Sequence, residues 1–222
     1  MSKILKKILL LSLLAMAGLQ SFSQDQPPFW NDIKTIQEYD KIYAPPKEPI
    51  LFVGSSSIRL WVDFVKTFKN YTVLNRGIGG AVTSDIDRYL DQIVFPYHPK
   101  QIVLYVGEND IVNAPDAETV FKSFEKLYAH IRTQLPSTPI VYIAIKGSPS
   151  RKQHQDKAVK ANQLIRDYIK QQQNIVFLDV YAPMLDKKGD MQPRLFKNDM
   201  LHMNLEGYKI WNGLLMPHLL MD

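Results

Sequence analysis

The chain has 222 residues, of which 45% are hydrophobic and 22% charged, with a formal net charge of +5 and no cysteine. That composition is ordinary for one folded domain with a sizeable core. The missing cysteines exclude disulfides, a thiolate metal site and a lipid-acceptor cysteine, so stability has to come from core burial, which a chain of about 200 residues can supply.

The N-terminus carries Lys3, Lys6 and Lys7 ahead of an apolar stretch from Ile8 to Leu14, continued through Leu19 and followed by Ser21-Phe22-Ser23. A basic start, a short apolar centre and a small-x-small triplet predict a secretory signal peptide over residues 1–23, cut before Gln24. Its apolar part is shorter than the roughly 20 residues that span a bilayer. The expected product is an exported protein, periplasmic or extracellular, with no integral membrane anchor once the signal is removed. Cleavage would remove three lysines and no acid, lowering the charge from +5 to +2. With no basic cluster left on the mature part, nucleic acid is not an expected partner. Oligomeric state is not legible.

Residues 24–48 are expected to form a proline-containing tether and a helix packing on the domain, residues 49–222 the domain itself. Trp30, Ile33, Ile36, Tyr39 and Tyr43 recur at helical spacing. Apolar runs of strand character follow at 50–53, 71–74, 101–106, 139–145 and 174–180. Between them, Ile58, Trp61, Phe64, Val65 and Phe68 are expected to share one helix face. Val120, Phe124, Leu127, Tyr128, Ile131 and Leu135 make a second stripe, Ala158, Ala161, Ile165 and Tyr168 a third, and Tyr208, Trp211, Leu214, Leu215 and Leu219 a closing one. Such stripes face a core. Strand and helix in rotation predict a parallel sheet covered on both faces, because each crossover needs a helix to return the chain to the same end of the sheet.

Open parallel sheets bind ligands beyond the carboxyl ends of their strands. The chemically useful residues fall there. Ser55, Ser56 and Ser57 follow the first run, Asn75 to Gly80 ("NRGIGG") the second, and Gly107 to Asp110 ("GEND") the third. Lys146 and Gly147 follow the fourth without a legible role. After the fifth comes an irregular stretch, 181–197, expected to form a substrate rim, and then "NDMLHMN" from Asn198.

A serine hydroxyl becomes a competent nucleophile when a base takes its proton and a third group holds that base. Asp199 and His202, three residues apart and about one turn, would let the carboxylate accept the imidazole Nδ1 proton while Nε2 faces outward. Acyl transfer also needs donors aimed at the developing oxyanion. Glycines of "NRGIGG" can expose backbone N–H groups, and Asn109 offers a side-chain amide. Each block alone has an ordinary structural reading: a serine turn with a cap, a glycine loop or anion nest, a helix-capping Asp, a satisfied histidine. Their joint placement at successive strand ends carries the argument.

Gly-x-Ser, Asn-x-Gly-x-x-Gly, Gly-x-Asn-Asp and Asp-x-x-His, in this order from Val53 to His202, resemble the four blocks of the SGNH hydrolases, the GDSL-type esterase/lipase family. The resemblance implies a flavodoxin-like three-layer α/β/α sandwich on a five-stranded parallel sheet, and ester hydrolysis with no cofactor and no metal. It implies Ser56 as nucleophile, His202 as base and then acid, and Asp199 as its orienting carboxylate. The oxyanion hole would use the N–H groups of Ser56 and Gly80 and the amide of Asn109. Where the family has Asp before the nucleophile this chain has Ser55, whose hydroxyl is expected to replace part of the lost hydrogen bonding, while Ser57 could cap the following helix.

The expected function is an exported serine esterase acting on a small ester or acylated glycan, with carbohydrate O-acetyl groups foremost. Alternatives are an acyltransferase, lysophospholipase or thioesterase with the same triad, or a non-catalytic carbohydrate-binding protein on the same fold. His98, His130, His154 and His218 lack metal-ligand spacing. The mixed charges of "SRKQHQDKAVK" from Ser150 read as a solvated helix face.

Overall fold

The computed structural model describes residues 26–221; the signal-peptide reading lies outside the described residues. Helix α1 (Trp30–Ile42) precedes strand β1 (Ile50–Gly54), short helices α2 (Ser56–Arg59) and α3 (Phe64–Thr67), and strand β2 (Val73–Gly77). Helices α4 (Thr83–Arg88) and α5 (Leu90–Ile93) lead to β3 (Gln101–Tyr105), then α6 (Asp110–Asn113), α7 (Ala117–Gln134) and β4 (Ile140–Ile143). Helix α8 (Gln155–Ile169), β5 (Ile175–Leu178) and α9 (Leu205–Leu215) complete the order.

The five strands form one parallel sheet in the order β2-β1-β3-β4-β5. This is the doubly wound order of the flavodoxin-like α/β/α sandwich, and its direction of growth reverses between β1 and β3, the crevice where such sheets place their ligands. Alternation along β1 shows how both faces are filled. Leu51 and Val53 face one core with Ile102, Leu104 and Tyr142, while Ile50 and Phe52 face the other with Val103, Tyr105 and Val141. Central strands buried on both sides are continuous apolar runs for that reason.

The first core is closed by α1 through Ile33 and by α7 through Val120, Phe124, Leu127 and Ile131. Helix α7 starts cleanly because the Asp116 side chain accepts the Thr119 N–H at 2.8 Å. Trp211 of α9 fills the second core, edge-on to Tyr105 and Trp61 with ring centroids 4.9 and 5.5 Å away.

Two expectations are corrected here. The stripe from Ile58 to Phe68 is not one helix: the chain breaks at Leu60–Asp63, with Asp63 in the left-handed region, and Val65 is 80% exposed while Trp61 and Phe68 are buried. The 181–197 stretch is less a free rim than a cover, since Met184, Met191, Leu195 and Phe196 are buried in the second core. Its polar part, Asp186 and Asp190, lines a surface cavity of about 310 Å³ with Ser148, Lys152 and Gln155.

Candidate active site

Gly54 ends β1 with φ +143°, and a Cβ there would lie 1.8 Å from the Tyr105 carbonyl oxygen of the neighbouring strand. Only glycine fits, so the chain turns sharply from the strand into α2. Ser55 is the extended residue before α2 and Ser56 its first helical residue, at the strand end. There the Ser56 N–H, like others of a first helical turn, has no intrahelical acceptor.

His202 brings its Nε2 to 3.1 Å from Ser56 Oγ, and its Nδ1 to 2.7 Å from Asp199 Oδ2. The other Asp199 oxygen accepts the backbone N–H groups of Leu201 and His202, both at 2.9 Å. The acid and base do not ride on a helix, as their spacing suggested. They sit in a turn closed by the hydrogen bond from the Lys197 N–H to the His202 carbonyl and by the Phe196–Met203 bridge, and Asn204 caps α9 directly afterwards. The geometry is the same, because the carboxylate grips both the ring and the backbone that carries it.

The hydrogen bond from the His202 side chain, followed by that from the Leu201 N–H, holds the Asp199 carboxyl far below the usual carboxylate range. This occurs although the side chain is 47% exposed. A carboxylate that stays ionised, bonded to one ring nitrogen, leaves the other to accept a proton from Ser56.

The structure separates the three serines. Ser57 is buried, makes no helix-cap bond among the described residues, and accepts the Tyr208 hydroxyl on its carbonyl at 2.9 Å. Ser55 Oγ is buried and has no hydrogen-bond partner among the described residues, so the expected substitution for the family's Asp is not made. Ser55→Ala should therefore leave the unfolding free energy measured in urea unchanged or raise it by up to about 1 kcal/mol, because an unsatisfied hydroxyl is removed rather than a bond. A loss above about 1 kcal/mol would show that the hydroxyl is bonded in solution.

Asn109 and the glycine loop meet beside this turn. Asn109 Nδ2 donates to the Ala81 carbonyl at 2.9 Å, leaving its second N–H without a partner among the described residues. The Thr83 N–H reaches both Asp110 oxygens at 3.1 Å, and Gly80 takes φ +85° with the Phe29 ring beside it. Burial pushes the Asp110 carboxyl up, opposed by the Thr83 bonds. Thus Ser56, Gly80, Asn109, Asp199 and His202 lie on the loops after β1, β2, β3 and β5.

Three residues without an assigned role in the sequence join them. Glu108 and Lys146 form a buried ion pair of 2.6 Å, and Lys146 Nζ also donates to the Leu201 carbonyl at 2.8 Å. Burial drives the Lys146 ammonium below its usual pKa, and the Glu108 carboxylate opposes that. Arg151, far from being on a solvated face, donates to the Glu108 carbonyl at 2.7 Å and to Asn109 Oδ1 at 3.0 Å. The one available signal was position: Glu108 and Lys146 follow strands β3 and β4 at the ligand-binding end of the sheet. A second Asp–His pair, Asp87 with His130 Nδ1 at 2.8 Å, also contacts Lys126 and has no serine in hydrogen-bond contact among the described residues.

Comparison with known proteins identifies the family and the fold. No curated protein matches the sequence. In fold the chain is similar to a protein from Streptococcus pneumonia provisionally described as a platelet activating factor, with TM-score 0.75 and 21% identity over 99% of this chain and 100% of the other. A GDSL-like lipase from Bacteroides thetaiotaomicron superposes with TM-score 0.70 and 21% identity over 84% and 96%. A catalytic mutant of an acetylxylan esterase from Geobacillus stearothermophilus superposes with TM-score 0.60 and 15% identity over 79% and 95%. The profile of the GDSL-like lipase/acylhydrolase family matches residues 54–210, from the glycine before the serines to the middle of α9. The chain therefore belongs to the GDSL-like lipase/acylhydrolase family, the SGNH hydrolases, and is a carboxylic ester hydrolase.

Proposed function

We propose that this protein is an exported serine esterase that removes small acyl groups, acetyl foremost, from carbohydrate hydroxyls through an acyl-enzyme on Ser56. The unbroken hydrogen-bonded series Asp199–His202–Ser56 carries the reading. In it, Ser56 Oγ attacks the acyl carbon as His202 Nε2 takes its proton. The resulting oxyanion meets the N–H groups of Ser56 and Gly80 and the second Asn109 N–H, each such donor contributing about 2.7–4 kcal/mol to the transition state. Collapse expels the alcohol, which takes its proton from His202, and leaves the acyl group on Oγ. Water then attacks, giving its proton to His202, and the second collapse returns that proton to Ser56 as the carboxylic acid departs.

Small acyl groups are favoured because the stretch that could have been a lipid-covering lid, 181–197, packs its apolar side chains into the core. A carbohydrate alcohol is supported by the likeness in fold to the Geobacillus acetylxylan esterase. Export is supported by the signal-like N-terminus, which has its lysines ahead of the apolar stretch.

A fluorophosphonate should give one adduct, mapped to Ser56, and turnover of 4-nitrophenyl esters should be highest with acetate. An adduct on another serine would reject the nucleophile; turnover rising toward octanoate would reject the small-acyl preference. The pH profile follows from the site. Asp199 is ionised throughout the working range, so it should add no proton of its own to the acid limb of kcat/KM, which should be a single-proton step. A limb steeper than one proton would mean that Asp199 titrates there as well.

A further inference from the structure

We propose that Arg151 is the positioning residue of the oxyanion hole, holding the Asn109 amide with its N–H toward the substrate and supplying positive charge behind it. This deepens the esterase reading and rests on it. An asparagine amide can turn over, and a flipped Asn109 would present its oxygen to a developing oxyanion. Two contacts prevent that. Arg151 Nη2 donates to Oδ1 at 3.0 Å, and the Ala81 carbonyl accepts from Nδ2 at 2.9 Å. Flipping would set two donors against each other at one contact and two acceptors at the other.

The planar guanidinium is itself held. Arg151 Nη1 donates to the Glu108 carbonyl at 2.7 Å and lies 3.8 Å from the Glu108 carboxylate, whose nearer partner is Lys146 at 2.6 Å. Two cations thus share one carboxylate, and the surplus positive charge stands against Asn109. A cation at the amide oxygen draws electron density from the nitrogen, strengthening the remaining N–H as a donor. Backbone geometry aims the side chain: Arg151 interrupts the 3₁₀ turn Pro149–His154 with φ −117° and ψ 26°. The preceding Ser150 N–H donates to the Met200 carbonyl at 3.0 Å, joining this segment to the turn that holds His202.

A positioning residue acts through Asn109, so the test is a double-mutant cycle with 4-nitrophenyl acetate. Arg151→Met should lower kcat by about 10- to 100-fold, part of the 10²–10³ expected for losing an oxyanion donor, with KM changed less than about twofold. In an Asn109→Ala background the same substitution should change kcat less than about twofold. Arg151→Lys, a milder change should the methionine variant fold poorly, keeps a cation but lacks the fork for both oxygens, so its smaller loss should also vanish in that background. Equal losses in both backgrounds, or a rise in KM at constant kcat, would overturn the proposal.

A second arm needs no turnover. The Asn109 side-chain amide NMR signals, identified by their absence in Asn109→Ala, should move on Arg151→Met; unmoved signals would reject the contact. If the wild-type protein proved inert, the esterase reading would fail while this arm still decided the role of Arg151.

Discussion

Ser56→Ala should lower kcat on 4-nitrophenyl acetate by about 10⁴-fold or more, with little change in KM. The Oγ atom is the serine oxygen in hydrogen-bond contact with His202 Nε2, at 3.1 Å, and neither neighbour can take its place. Ser55 and Ser57 are both buried. KM is insensitive because Oγ forms its bond to the acyl carbon only on the way to the transition state, whereas substrate binding uses the surrounding loops. A residual rate is expected, since Gly80, Asn109 and the Ser56 N–H still offer donors to water-driven hydrolysis. Retention of more than about a tenth of the wild-type rate would place the nucleophile elsewhere. Intact mass gives an independent check, as the variant should take up no fluorophosphonate.

Most of the sheet was legible because its signals are local. Each central strand is a short apolar run followed at once by glycine or polar residues, and that pattern depends on neighbours in sequence alone. The observed strands lie within or overlap the five predicted runs, with β2 displaced to Val73–Gly77 because its pairing with β1 carries it on through Asn75 and Arg76. Helices α4 and α5 were not separately legible. At six and four residues they are too short to show a period, and their burial of Ile86, Leu90 and Ile93 is set by the cover of the sheet.

At the site the same division holds. Asp199 and His202 could be paired from their spacing, Ser56 was singled out among three serines by the resemblance of its block to the family's, and the structure brings the three into contact. Glu108, Lys146 and Arg151 could not be paired this way, because no motif marks them and their pairings, 38 and 43 positions apart in sequence, are made only by the fold. A charged side chain in a polar stretch reads as solvated unless the fold is known to bury it. Arg151 is such a case, placed over Asn109 only because the 148–154 segment turns back across the ends of β3 and β4.

Glu108→Ala should destabilise the protein by about 3–5 kcal/mol, a large share of the 5–15 kcal/mol that ordinary domains possess. The Lys146 side chain is 0% exposed and Glu108 4%, so removing the carboxylate leaves an ammonium without its counter-charge beside the Phe196 ring. The Tyr105 hydroxyl, which donates to Glu108 at 2.8 Å, loses its acceptor too. In a domain of this size the loss corresponds to a fall of about 6–20 °C in Tm. Lys209→Ala is the matched control, because the Lys209–Glu206 pair has a comparable distance of 2.7 Å but side chains 60% and 51% exposed. Solvent screening reduces such pairs to about 0–1 kcal/mol. Removing both buried charges, as Glu108→Gln with Lys146→Met, should recover most of the stability, since the cost lies in stranding one charge rather than in lacking the pair. It should not recover full activity, because the Leu201 carbonyl beside His202 loses the ammonium that holds it at 2.8 Å. A Glu108→Ala protein as stable as the Lys209→Ala control would mean that Lys146 finds water or another partner, and that the pair does not tie the two halves of the site together.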